Sequence, residues 1–165
     1  MKFQEKRKNV FISHHSRDDA QITAFTKLLA KAGYEMRNSS IRVKPGNAER
    51  IRRKEVSEKT LQRVLRMKIS WAGAVVVLIG KQTHSRPWVN WEIDQANRQG
   101  KRIVGVYLPG SSKADIPPSF EKYGDALVTW DVENIVDAIE GTDSPFQEPD
   151  GTPRPAPNSP VTCRC

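Results

Sequence analysis

The chain has 165 residues, 37% of them hydrophobic, and a formal net charge of +8. That length suits one domain with a single core that needs no staples. No run of 18 apolar residues occurs, which argues against a transmembrane helix, and the two cysteines, Cys163 and Cys165, stand one residue apart at the C-terminus, too close together to staple a core and too few to hold a metal.

The first eight residues lack the apolar segment of a signal peptide, so a reducing cytoplasm is the expected setting. Asn9–Ser13 reads as a short buried strand. Ser16 caps a helix, with Asp19 as the carboxylate of a capping box. Ile22, Phe25, Leu28, Leu29 and Ala32 recur at helical spacing, and Gly33 ends the helix. Tyr34–Arg37 is a weaker second strand, followed by a Ser/Pro/Gly loop over 38–47.

Between Arg42 and Lys68 ten basic residues face only Glu49, Glu55 and Glu58, a net +7. A helix is expected from Ala48 to about Ser70, with its apolar residues gathered late at Leu61, Val64, Leu65 and Ile69. Such a charge block suits a solvated helix face, an acidic partner, an anionic ligand or nucleic acid. No aromatic residue interrupts it for base stacking, which disfavours nucleic acid.

Ala74–Ile79 is the most hydrophobic run and reads as a strand buried on both faces. Thr83–Ser85 supply turn and N-cap chemistry, and Pro87 belongs in a first helical turn. A helix over 86–99 aligns Val89, Ile93, Ala96 and Gly100 on its core stripe. Glu92 lies on the edge of that stripe, one turn after Trp88 and next to Trp91. Arg102–Leu108 is a fourth strand, 109–125 a long Pro/Gly/Ser connection, Ala126–Trp130 a fifth strand and Val132–Ile139 a last short helix. Six of the eleven prolines fall beyond Gly141, so residues 142–165 read as a disordered or extended tail behind a 9–141 domain.

Five alternations of strand and helix predict an α/β fold of flavodoxin-like type, a parallel sheet in order 2-1-3-4-5 with helices on both faces. Ligands in such folds bind beyond the carboxyl ends of strands 1 and 3. Strand 1 ends at Ser13-His14-His15, and strand 3 leads into the Trp/Glu helix, so two separate features converge on one crevice. Ser16 and Arg17, at the start of the first helix, offer amides and a positive charge to a phosphate. Adjacent histidines with no third ligand do not predict a metal. A phosphate-accepting receiver domain is excluded because no acid ends strand 3, and a dinucleotide fold because no G-x-G-x-x-G follows strand 1.

Val10–Ser13, Ala74–Gly80, Thr83, Arg86 and above all Trp88-Val-Asn-Trp-Glu-Ile93 resemble the corresponding segments of TIR domains. The match covers about residues 8–139 and looks in particular like the bacterial TIR-like domains that include the ThsB component of Thoeris antiphage systems. The resemblance implies NAD⁺ as substrate rather than a bound cofactor, cleavage of its nicotinamide–ribose bond, and a catalytic role for Glu92. It also implies an ADP-ribose-derived signal, cyclic or conjugated, with self-association and a phage-derived trigger. Ser13, His14, Arg17, Trp88 and Trp91 are the candidate substrate-binding residues. The rival reading is a TIR scaffold without catalysis, acting only through protein–protein assembly. The loop at 38–47 and the basic helix after it match no TIR motif.

Overall fold

A computed structural model describes residues 9–15, 19–38, 58–142 and 144–154. Its strands are β1 (Asn9–Ser13), β2 (Glu35–Asn38), β3 (Ala74–Ile79), β4 (Arg102–Tyr107) and β5 (Ala126–Val128). Its helices are α1 (Asp19–Lys31), α2 (Glu58–Trp71), α3 (Pro87–Arg98), α4 (Pro118–Tyr123) and α5 (Val132–Glu140). The five strands form one sheet in the order β2-β1-β3-β4-β5, and every neighbouring pair is parallel. This is the expected topology. The loop at 39–57, with the first half of the expected basic helix, lies outside the described residues.

Alternation along the strands divides the core in two. Val10, Ile12, Val76, Leu78, Val104 and Val106 face Phe25 and Leu29 of α1 and Ile135 of α5. Phe11, Val75, Val77, Ile79 and Ile103 face Leu65 of α2, Ile93 of α3 and Phe120 of α4. All six residues of β3 are buried, as a central strand covered on both faces requires.

Helix α4 approaches the sheet closely because β4 has a glycine beneath it. A Cβ on Gly105 would lie 2.7 Å from Phe120 Cζ and 2.9 Å from Leu127 Cδ1. Helix α5 starts on Asp131, whose side chain accepts from the Asn134 amide, and ends on Gly141 at φ 75°.

Strand β5 is shorter than expected, its pairing with β4 ending at Val128, and its outer edge is met by the C-terminal segment. Leu127 N–H donates to Pro145 O (2.8 Å) and Gln147 N–H donates back to Leu127 O (2.9 Å), a parallel bridge centred on Phe146. The Thr129 amide donates to Gln147 Oε1, and the Tyr107 hydroxyl to Gln147 O, both at 3.0 Å. Arg154 pairs with Glu121 of α4 at 3.3 Å. Residues 144–154, part of the expected disordered or extended tail, therefore form a strap along the β5 edge. Its hold comes from backbone groups, the Gln147 side chain, the Arg154–Glu121 pair and one half-buried phenyl ring, and proline is compatible with an edge of this kind. Residues 155–165 lie outside the described residues.

Candidate functional site

The carboxyl ends of β1 and β3 lie side by side, with Ser13 in register with Val77. Three residues after β3, Gln82 adopts a left-handed conformation (φ 67°), unusual for a side chain with a Cβ. The turn is held from several directions. The Gly80 amide donates to Thr83 Oγ1 (2.9 Å), the Gln82 amide to Asp115 Oδ1 (3.2 Å), and Arg86 Nη2 to Gln82 Oε1 (3.0 Å). Thr83 is fully buried and opens a 3-10 turn over Thr83–Ser85. It does not cap α3 as expected. The N-cap is Arg86, whose side chain makes no capping bond, and Pro87 takes the first helical position, where the missing amide costs nothing.

From that start α3 carries Glu92 inward, so the side chain has no exposed surface. The Ser13 hydroxyl donates to Glu92 Oε1 at 3.2 Å, a contact between residues 79 apart in sequence. A buried carboxylate is costly without such donors. Ser13 thus meets the candidate acid directly and acts on its orientation.

The other expected residues divide. His14 and His15 are both buried, and His14 Nδ1 lies 3.1 Å from the carbonyl of His15, so this ring nitrogen turns to the backbone. Trp88 and Trp91 are half-buried against the sheet-face cluster and meet edge to face, centroids 5.5 Å apart. The Arg66 guanidinium lies 5.5 Å from the Trp91 ring centre, and its Nε donates to the buried Gln95. Ser16 and Arg17 lie outside the described residues.

Two residues that sequence reasoning passed over help to build the site. Asn90 donates to the carbonyls of His84 and Arg86 and accepts from the Ser119 amide, tying the turn, α3 and α4 together. An asparagine inside the first turn of a helix, a poor helix former there, is the available signal. Gln95, buried on the same helix, was the other. Among the described residues no group of three or more His, Cys, Asp or Glu side chains could hold a metal, and no helix is long and apolar enough to cross a membrane.

A parallel 2-1-3-4-5 sheet with a buried glutamate on the helix after β3, at the crevice between β1 and β3, defines a TIR-like α/β domain. The profile of the TIR-like domain of the Thoeris protein ThsB matches residues 11–113, and the chain belongs to that family. Over 77 residues it is 30% identical to ThsB1 of Bacillus cereus (strain MSX-D12), whose name assigns it provisionally as a cyclic ADP-D-ribose synthase. The match takes in 43% of this chain and 40% of that relative's length. Two solved structures share the fold at low identity. The CMP N-glycosidase BcmB of Clostridium botulinum has a TM-score of 0.50 at 13% identity, covering 81% of this chain and 99% of its own. A Burkholderia pseudomallei K96243 protein described as pilus assembly-related has a TM-score of 0.51 at 14% identity, with 86% and 92% covered.

Proposed function

We propose that this chain cleaves the bond between nicotinamide and ribose in NAD⁺ and releases an ADP-ribose-derived signal in antiphage defence. The observation that carries the reading is Glu92, fully buried at the β1/β3 crevice with Oε1 held by Ser13. Family membership and the name of ThsB1 point the same way.

The chemistry suits a single carboxylate. Nicotinamide leaves as a neutral molecule from a cationic ring, so its departure needs no general acid. The cost lies in the oxocarbenium-like ribose, as in glycoside cleavage generally. A carboxylate fixed beside the ribose accepts from its hydroxyls and stabilises the positive charge as it develops. Trp88 or Trp91 stacks on the nicotinamide and excludes water, while His14 completes the substrate pocket. If water accepts the ribosyl group, the products are nicotinamide, ADP-ribose and a proton. If a hydroxyl or ring nitrogen of the same nucleotide accepts it, they are nicotinamide, a cyclic isomer and a proton. The family and the name of ThsB1 favour the cyclic or conjugated product.

Because Glu92 has no exposed surface, NAD⁺ reaches it only after groups around the crevice shift. This suits an enzyme that waits for a phage-derived trigger. The test is mass spectrometry of nucleotides after incubation with NAD⁺, with and without an infected-cell extract. Release of nicotinamide with an ADP-ribose product supports the reading. Silence under both conditions overturns it in favour of a TIR scaffold.

A further inference from the structure

The 3-10 helix that follows β4, Lys113–Asp115, begins with a capping box in which Asp115 Oδ2 accepts from the Ser112 amide at 2.8 Å. That duty occupies one oxygen of the carboxylate. The other, Oδ1, accepts from the Gln82 amide at 3.2 Å, across 33 residues of chain. Ile116, the next residue, is buried in the same cluster as Val89 and Ile93 of α3. Asp115 is therefore anchored to the side of the sheet on which α3 lies, and its second oxygen reaches the turn from which α3 departs.

Gln82 needs such a hold. At φ 67° and ψ 10° a side chain with a Cβ sits in a left-handed conformation that costs more than the right-handed one. Beyond it the chain has little slack. The Thr83 amide donates to Gly80 O (3.1 Å), the Ser85 amide to Gln82 O and the Arg86 amide to Thr83 O (both 3.2 Å), and Pro87 then opens α3 directly. A change of dihedral at Gln82 therefore passes to α3 as a rotation instead of being absorbed in a loop. Further along that helix Glu92 meets the Ser13 hydroxyl at 3.2 Å, a contact that a small rotation breaks. We propose that Asp115 is a positioning residue for Glu92, acting through the left-handed turn at Gln82.

The proposal deepens the NAD⁺ reading and rests on it for the kinetic outcome, whereas the placement of α3 is read without any substrate. Asp115 works on the aim of the carboxylate, so its removal lowers kcat more than it raises KM. Glycine adopts a positive φ at no steric cost, so Gln82→Gly removes the need for the hold. Losing Asp115 should then matter with Gln82 in place and much less in the Q82G background.

The test is a double-mutant cycle of D115A and Q82G on the full chain. It is read by amide nitrogen–proton NMR spectra, melting curves and nicotinamide release in the extract that activates wild type. D115A is expected to shift the amide resonances of α3 as far as Glu92, and to lower kcat about tenfold with KM changed by less than about twofold. Q82G/D115A is expected to keep a kcat within about threefold of Q82G, with its α3 resonances at the Q82G positions. Resonance changes in D115A confined to residues 80–86 and 112–116 overturn the proposal, as does an equal fall in kcat in both backgrounds. A D115A protein whose lost rate matches its lost folded fraction also overturns it, and assigns Asp115 to stability alone. A wild-type chain that releases no nicotinamide refutes the NAD⁺ reading instead, and the spectra then decide the placement of α3 by themselves.

Discussion

Phe146→Ala isolates the one apolar side chain by which the C-terminal strap grips the domain. The ring is half-buried against the cluster containing Phe120 and Leu127. Removing a fully buried phenylalanine side chain costs about 3–5 kcal/mol, so a half-buried one should cost about 2 kcal/mol. For a chain of this size each kcal/mol shifts Tm by roughly 2–4 °C, which predicts a fall of about 4–8 °C. Deleting residues 142–165 should cost more, since it also removes the bonds from the Leu127 amide to Pro145 and from Tyr107 and Thr129 to Gln147. Calorimetry gives the melting temperatures, and hydrogen exchange at the Leu127 amide reports the strap directly. In the deletion that amide should lose protection while Val76, in the central strand, keeps its own. An unchanged Tm in both variants, with Leu127 still protected, would refute the packing argument.

Three further outcomes follow from single contacts. Gly105→Ala forces a Cβ against Phe120 and Leu127 and should destabilise by about 1–3 kcal/mol, read from denaturant unfolding. Ser13→Ala removes the donor to Glu92 Oε1; a hydrogen bond to a charged group contributes about 1.5–3 kcal/mol, so kcat should fall roughly 10- to 100-fold, with KM changed less. Burial, and then the neighbouring Glu140, hold the Tyr34 hydroxyl well above its usual pKa of 10.0. The folded chain therefore keeps this proton where the unfolded chain releases it, and stability should fall as pH rises above about 10. Tyr34→Phe should flatten that alkaline decline in pH-dependent melts.

The sheet order was legible because each strand and helix has its own period. Ala74–Ile79 is too apolar to be half-exposed, and the stripe of Val89, Ile93 and Ala96 points α3 at it. Both ends of the crevice could be placed by topology alone. The bond between Ser13 and Glu92 could not, because it depends on how far α3 rotates toward β1 across 79 residues of chain. That rotation is set by a turn whose left-handed residue is Gln82, where sequence preference would put glycine or asparagine. The strap was illegible for another reason. It binds through carbonyls and amides that every residue possesses, and its prolines resemble those of an unpacked tail. Gly105 gave no signal because its role lies in the ring that packs above it.

Glu92→Gln keeps the size and hydrogen-bonding capacity of the side chain but removes its charge, and it tests the central claim most directly. The measurement is nicotinamide release from NAD⁺ by wild type, Glu92→Gln and the exposed control Glu58→Gln, in the extract that activates wild type, alongside their melting curves. A group acting mainly in the transition state predicts a loss of about 100-fold or more for Glu92→Gln. Its stability should change by no more than about 1–2 kcal/mol, and Glu58→Gln should retain nearly full rate. A folded Glu92→Gln protein that still cleaves NAD⁺ at most of the wild-type rate would contradict the account.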